Sequence, residues 1–182
     1  MNRPASGMDR LSAAYGALLA ALAGIAAALL FVMVAMICAD VVLRNVALGD
    51  GPRGLPWSNE ISEQLLFLMT MLAAPWLLRR GAHIRVDIVL RALPDRLGWA
   101  CEWIADVLAL ACCLFMTVYG MQATLASYRG GSLSIKTLVM PEWWLLAPLP
   151  VAFALVAVEV LFRMRRLAVG PRTPRDDAVS AS

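Results

Sequence analysis

Apolar residues along this chain fall into four long runs, separated by short polar stretches. From Leu11 to Ala39 there are 29 consecutive positions without a charge. A helix needs about 20 apolar residues to cross a bilayer, so this run suffices with some tilt or helical extension. Arg3 and Arg10 precede it, as basic residues precede a secretory signal. The apolar core of such a signal is only about 7–15 residues long, so an uncleaved first span is expected.

The stretch from Arg44 to Trp57 carries Gly49, Gly51, Pro52, Gly54 and Pro56 and reads as a turn-rich loop. A second run, Ile61 to Leu78, is interrupted only by Glu63 and Gln64 near its start, and Pro75 is expected to bend its far end. The segment Arg79 to Arg91 mixes charge with Ile and Val and is too short to span; it reads as an amphipathic piece at the membrane surface. A third run, Leu97 to Ala126, contains Glu102 and Asp106, and its clean part, Val107 to Ala126, has 20 residues. A polar loop with Gly130, Gly131, Ser132 and Ser134 leads to Pro141, and the fourth run, Trp143 to Phe162, contains Pro148, Pro150 and Glu159. The tail from Gly170 is rich in Pro, Ser, Arg and Asp, a composition that predicts disorder.

The pattern predicts an all-α integral membrane protein. Its four transmembrane helices lie near residues 16–39, 61–78, 104–126 and 143–162, with an amphipathic interfacial segment between the second and third. Residues 1–10 form the N-terminus, 11–166 the membrane domain and 167–182 the disordered tail.

Composition strengthens this picture. The chain of 182 residues is 61% hydrophobic and 16% charged, with a mean hydropathy of +0.72. A soluble domain is about 45–50% apolar and about 25% charged, so much of the surplus must face lipid. All six tryptophans (Trp57, Trp76, Trp99, Trp103, Trp143 and Trp144) lie at or near run ends, where an indole prefers the membrane interface. Charge then orients the spans. Placing both termini and the segment after the second span on one side collects 12 of the 16 basic residues and leaves Arg44, Arg53, Arg129 and Lys136 opposite. The positive-inside rule puts that basic side in the cytoplasm, with an even number of crossings.

The candidate chemistry is sparse. Cys38, Cys101, Cys112 and Cys113 have no CxxC spacing, and His83 is the one histidine, so neither a disulfide framework nor a zinc site is expected. One histidine also cannot supply two axial haem ligands. No nucleotide-binding or hydrolase motif is present, and no basic stripe interleaved with aromatics suggests nucleic acid. No enzyme activity and no cofactor is expected. The acids near the membrane carry more information, since a charge at mid-bilayer costs about 2.5–3.5 kcal/mol. Glu102 and Asp106 share a helical face, as do Glu60 and Glu63, but every acid lies within about two turns of a span end. Interfacial pairing with nearby arginines accounts for them: Asp40 with Arg44, and Glu159 with Arg163, each at i,i+4. A proton relay and polar contacts with another subunit are the other readings. His83, flanked by arginines, reads as a structural hydrogen-bonder or as a pH switch. Ala20, Gly24 and Ala28 form a small-residue stripe on which a second helix could pack.

Four stretches in this order resemble the DctQ-like small membrane subunit of tripartite ATP-independent periplasmic (TRAP) transporters. They are Asp40 to Asn45 at the end of the first span, Trp57-Ser58-Asn59-Glu60-Ile61 at the start of the second, Arg80-Gly81-Ala82-His83-Ile84-Arg85-Val86-Asp87 after it, and Ser134 followed by Pro141-Glu142-Trp143. The third is similar to the family's Gly-x-His-Ile-x-Val-Asp signature, and the resemblance covers about residues 10 to 165. It implies a bacterial inner-membrane subunit that braces a large multi-span transport subunit and works with a periplasmic solute-binding protein. The complex would take up small organic acids by ion-gradient symport. Arg44, Trp57, Glu60, His83 and Asp87 would then fix the fold, bind lipid headgroups or contact the partner. A self-sufficient four-span, proton-coupled exporter is the alternative, and a membrane anchor for a redox enzyme is a further rival.

Overall fold

The computed structural model describes residues 7–45, 54–80 and 94–169. Five helices and one hairpin follow in order: α1 (Gly7–Asn45), α2 (Ser58–Arg79), α3 (Asp95–Gly130), β1 (Leu133–Ile135), β2 (Val139–Pro141), α4 (Glu142–Leu146) and α5 (Pro148–Val169). The chain is an integral membrane protein with four helices long and apolar enough to cross a bilayer, α4 and α5 together making the fourth. Between them Ala147 keeps right-handed helical angles and donates its N–H to the Trp143 carbonyl at 2.9 Å. The short break therefore follows from Pro148 and Pro150, which have no N–H to continue the ladder.

α1 packs on α2, α2 on α5, and α5 on α3, so α1 and α3 flank a central pair. The inward positions of α1 are Ser12, Tyr15, Leu19, Leu22, Ala26, Leu29, Met33, Met36 and Asp40, alternately three and four apart. That spacing keeps one seam facing a neighbouring helix at a shallow crossing angle. Both ends of the seam are polar. α3 has the same rhythm in Trp103, Asp106, Leu110, Cys113, Thr117, Gly120, Thr124 and Ser127. Its small members let the fourth span come close: a Cβ on Gly120 would lie 2.5 Å from Leu149 Cδ2. Thr117 and Thr124 return their hydroxyls to the carbonyls four residues back, at 2.8 Å each, so the seam carries polar side chains without orphaned groups there.

The outer faces are apolar and exposed, with Phe31 on α1 and Ile104 on α3 at 77% and 68%. The small-residue stripe lies there too. Ala20, Gly24 and Ala28 all point away from the rest of the chain, and a Cβ on Gly24 would meet nothing within 4 Å.

α1 and α3 run on past the apolar spans into polar flanks, the helical extension that the sequence allowed, because hydropathy marks what lipid tolerates and not where the hydrogen-bonded helix stops. The expected polar loop before Pro141 contains a hairpin instead, with Leu133 opposite Pro141 and Ile135 opposite Val139. The expected amphipathic segment after α2 and the expected disordered tail both lie outside the described residues.

Candidate functional site

Charged side chains gather at the two ends of the helices, and among the described residues the middle carries none. At one end α1 begins, α2 finishes, α3 begins and α5 finishes. Here Glu159 is fully buried and accepts from Arg79 Nη1 at 2.9 Å and from Arg166 Nη2 at 2.6 Å. Arg79 Nη2 also donates to the Ser12 carbonyl at 2.8 Å and to Ser12 Oγ at 3.2 Å. One guanidinium thus ties α1, α2 and α5 together. Gly16 makes room for it, since a Cβ there would lie 2.9 Å from Arg79 Cζ. One turn beyond, Tyr15 donates its hydroxyl to the Leu155 carbonyl at 2.6 Å and stacks obliquely on Phe162.

The expected i,i+4 pairing of Glu159 with Arg163 gives way to this arrangement. Arg163 turns toward α3 instead, with Nε 3.7 Å from Asp106 Oδ1 and Nη1 donating to the Leu78 carbonyl at 3.4 Å. Four residues along a helix bring two side chains to the same face. Glu159 and Arg163 face different neighbours because α2 and α3 both reach this end of α5. Glu102 is buried one turn from Asp106, beside the edge-to-face pair of Trp99 and Trp103.

At the opposite end, the expected Asp40–Arg44 pair forms at 2.9 Å. Asp40 Oδ1 also accepts the Leu55 N–H at 2.6 Å, which fastens the α1–α2 connection. Gly54, in the left-handed region at φ +91, packs on both side chains. Trp57 is the residue before α2; its carbonyl accepts the Ile61 N–H at 3.1 Å and its ring is half-buried. Glu60 accepts the backbone N–H groups of Thr137 and Leu138 at 2.5 and 2.9 Å, and Glu63 accepts from Lys136 Nζ at 2.8 Å. That hydrogen bond with Glu63 holds the Lys136 ammonium above the ordinary lysine range. Two acids expected merely to share a helix face therefore grip the tip of the hairpin. One hairpin face points outward, with Ile135 80% and Val139 61% exposed, while Ser134, Leu138 and Met140 turn toward α2.

Of the residues singled out from sequence, Arg44, Trp57 and Glu60 therefore lie at this end, whereas His83 and Asp87 fall outside the described residues. Among the described residues no group of three or more His, Cys, Asp or Glu could hold a metal ion.

The family of DctQ components of tripartite ATP-independent periplasmic transporters matches residues 33–170. The chain belongs to the DctQ family. Comparison with curated proteins finds no similar sequence. The match takes in the seam ends Asp40 and Ser127, the hairpin, and all of the fourth span. A DctQ protein is the small membrane subunit of a TRAP transporter, which also has a large membrane component and a periplasmic binding protein.

Proposed function

We propose that this DctQ subunit braces the large transport subunit of a TRAP complex in the bacterial inner membrane, with both termini cytoplasmic. The complex imports small organic acids driven by an ion gradient. The carrying observation is where the polar groups are used. Glu159 is held between two guanidiniums, and Asp40, Glu60 and Glu63 each engage a partner at a helix end. A solute site in a membrane needs polar groups converging near its middle, often at broken helices. This chain instead offers long apolar flanks on α1 and α3, which suit a permanent partner in the bilayer. Arg44, Trp57 and Glu60 shape the end that bears the hairpin, and His83 and Asp87 serve the fold, lipid headgroups or the partner. Nothing in the family or the geometry favours a self-sufficient exporter.

Reconstitution tests this. Vesicles with this chain alone take up no solute, whereas vesicles with both membrane subunits and the binding protein do so when an ion gradient is imposed. Uptake by this chain alone would end the proposal. The orientation has its own test. Reporter fusions after residues 130 and 170 light up on opposite sides of the membrane, and a shared side would refute the topology.

A further inference from the structure

α1 and α5 are tied together near one end of the bundle and stand apart toward the other. Tyr15 of α1 donates to the Leu155 carbonyl at 2.6 Å and stacks on Phe162, so the two helices meet there. From that junction toward the hairpin end, a groove of about 470 Å³ runs between them. Leu22 of α1 and Val151 and Leu155 of α5 form its walls, and Leu68 and Leu72 of α2 form its floor. We propose that this groove holds one acyl chain of a phospholipid from the leaflet on the hairpin side.

Depth comes first. Trp143 and Trp144 stand at the mouth, edge to face at 5.7 Å, and indoles prefer the level of the headgroups. From Trp144 to Leu155 is eleven residues, or about 16 Å at ~1.5 Å per residue. Half of a ~30 Å hydrocarbon core is about 15 Å, so the groove starts at headgroup level and stops near the middle of the bilayer. Its blind end lies where a lipid tail ends.

Shape then selects the occupant. A helix of another subunit crosses the whole bilayer, but the Tyr15–Leu155 bond closes this groove halfway. The groove is also too small, since a helix about 10 Å across fills on the order of 1,200 Å³ over that length. A single acyl chain entering at the mouth meets neither obstacle. Every lining side chain at this depth is aliphatic, a thioether or an indole, so the groove reads the chain and not the headgroup. Lipid tails are as apolar as leucine, and no hydrophobic effect draws the chain in. Dispersion contact with two walls and a floor at once retains it, and an unfilled groove would forfeit those contacts. The site does not depend on the bracing role.

The test uses the full chain in phosphatidylcholine vesicles containing a trace of phosphatidylcholine with a photoreactive diazirine at the tip of one acyl chain. Labelled residues are then mapped by peptide mass spectrometry. Label reaches Leu72 and Leu155 at least as strongly as Ile25 and Phe115, which are half exposed. A diazirine near the head of the chain moves the label to Trp143 and Trp144 and leaves Leu155 unmarked. Val151→Trp fills the groove from a position already 58% exposed. Label at Leu72 and Leu155 then falls about tenfold while that at Ile25 stays, a factor that corresponds to the low end of overpacking penalties. Label confined to Ile25 and Phe115 on the folded, unaltered chain overturns the proposal, as would be seen if a helix of a second copy filled the groove. Undiminished label at Leu155 in a folded Val151→Trp chain overturns it as well, and so does label at Leu155 from the diazirine near the head. Where that variant fails to fold, the two maps from the unaltered chain decide.

Discussion

Glu159→Ala destabilises the helix assembly by about 3–5 kcal/mol, the cost of removing one partner from a buried ion pair. The loss is large because Glu159 is fully buried and Arg79 is mostly so, with side-chain exposures of 0% and 22%. Without the carboxylate, the Arg79 guanidinium keeps its bonds to Ser12 but has no counter-charge in a site sealed by α1 and α5. Arg166, half exposed, turns to solvent and contributes little. Replacing both partners separates charge from packing. Arg79→Leu with Glu159→Leu restores most of the lost stability, since apolar pairs of similar size substitute well for buried ions. Denaturation of purified protein in detergent, followed by circular dichroism, measures the series. A Glu159→Ala change below about 1 kcal/mol would mean that the pair does not hold the helices together.

The second large effect sits at the other end. Gly54→Ala destabilises by about 2–4 kcal/mol, combining backbone strain with a broken hydrogen-bond set. At φ +91 a side chain is strained in any surroundings, and here the new Cβ would lie 2.6 Å from Arg44 Cγ and 2.8 Å from Asp40 Oδ1. One methyl thus disturbs both the Asp40–Arg44 pair and the Leu55 N–H bond. Asp40→Asn keeps an acceptor for Leu55 and loses only the ion pair. Arg44 is 49% exposed, so that change costs at most about 1 kcal/mol. The same unfolding measurement ranks the two; Asp40→Asn proving the costlier would overturn this account of the turn.

How much of this was legible beforehand depended on the range of each interaction. The four crossings were plain, because lipid imposes a composition on every residue of a span and the signal adds along the helix. The Asp40–Arg44 pair was legible because i,i+4 contact is a property of one helix. The partners of Glu159 were not, since local spacing pointed to Arg163 while the structure draws Arg79 from 80 residues away. That choice depends on which helices stand beside α5. The hairpin escaped notice because its strands are three residues each, too short for alternation to register, and Lys136-Thr137-Leu138 is no turn signature. The grip of Glu60 on that hairpin was hidden for the same reason. In α1 the 3–4 spacing of the seam was masked by alanine and leucine all around the helix, so the buried face could not be told from the lipid face.

The cross-helix reach of Arg79 also bears on how the chain is made. Ribosomes deliver α1 and α2 first, and Ser12 can receive the arginine as soon as those two helices meet. Glu159 is synthesised 80 residues later, carrying a charge that the hydrocarbon rejects and that this waiting guanidinium accepts. The first helical pair therefore presents the counter-charge that the last helix needs in order to pack. A chain lacking the fourth span would leave the Arg79 guanidinium with its Ser12 bonds and without the Glu159 carboxylate.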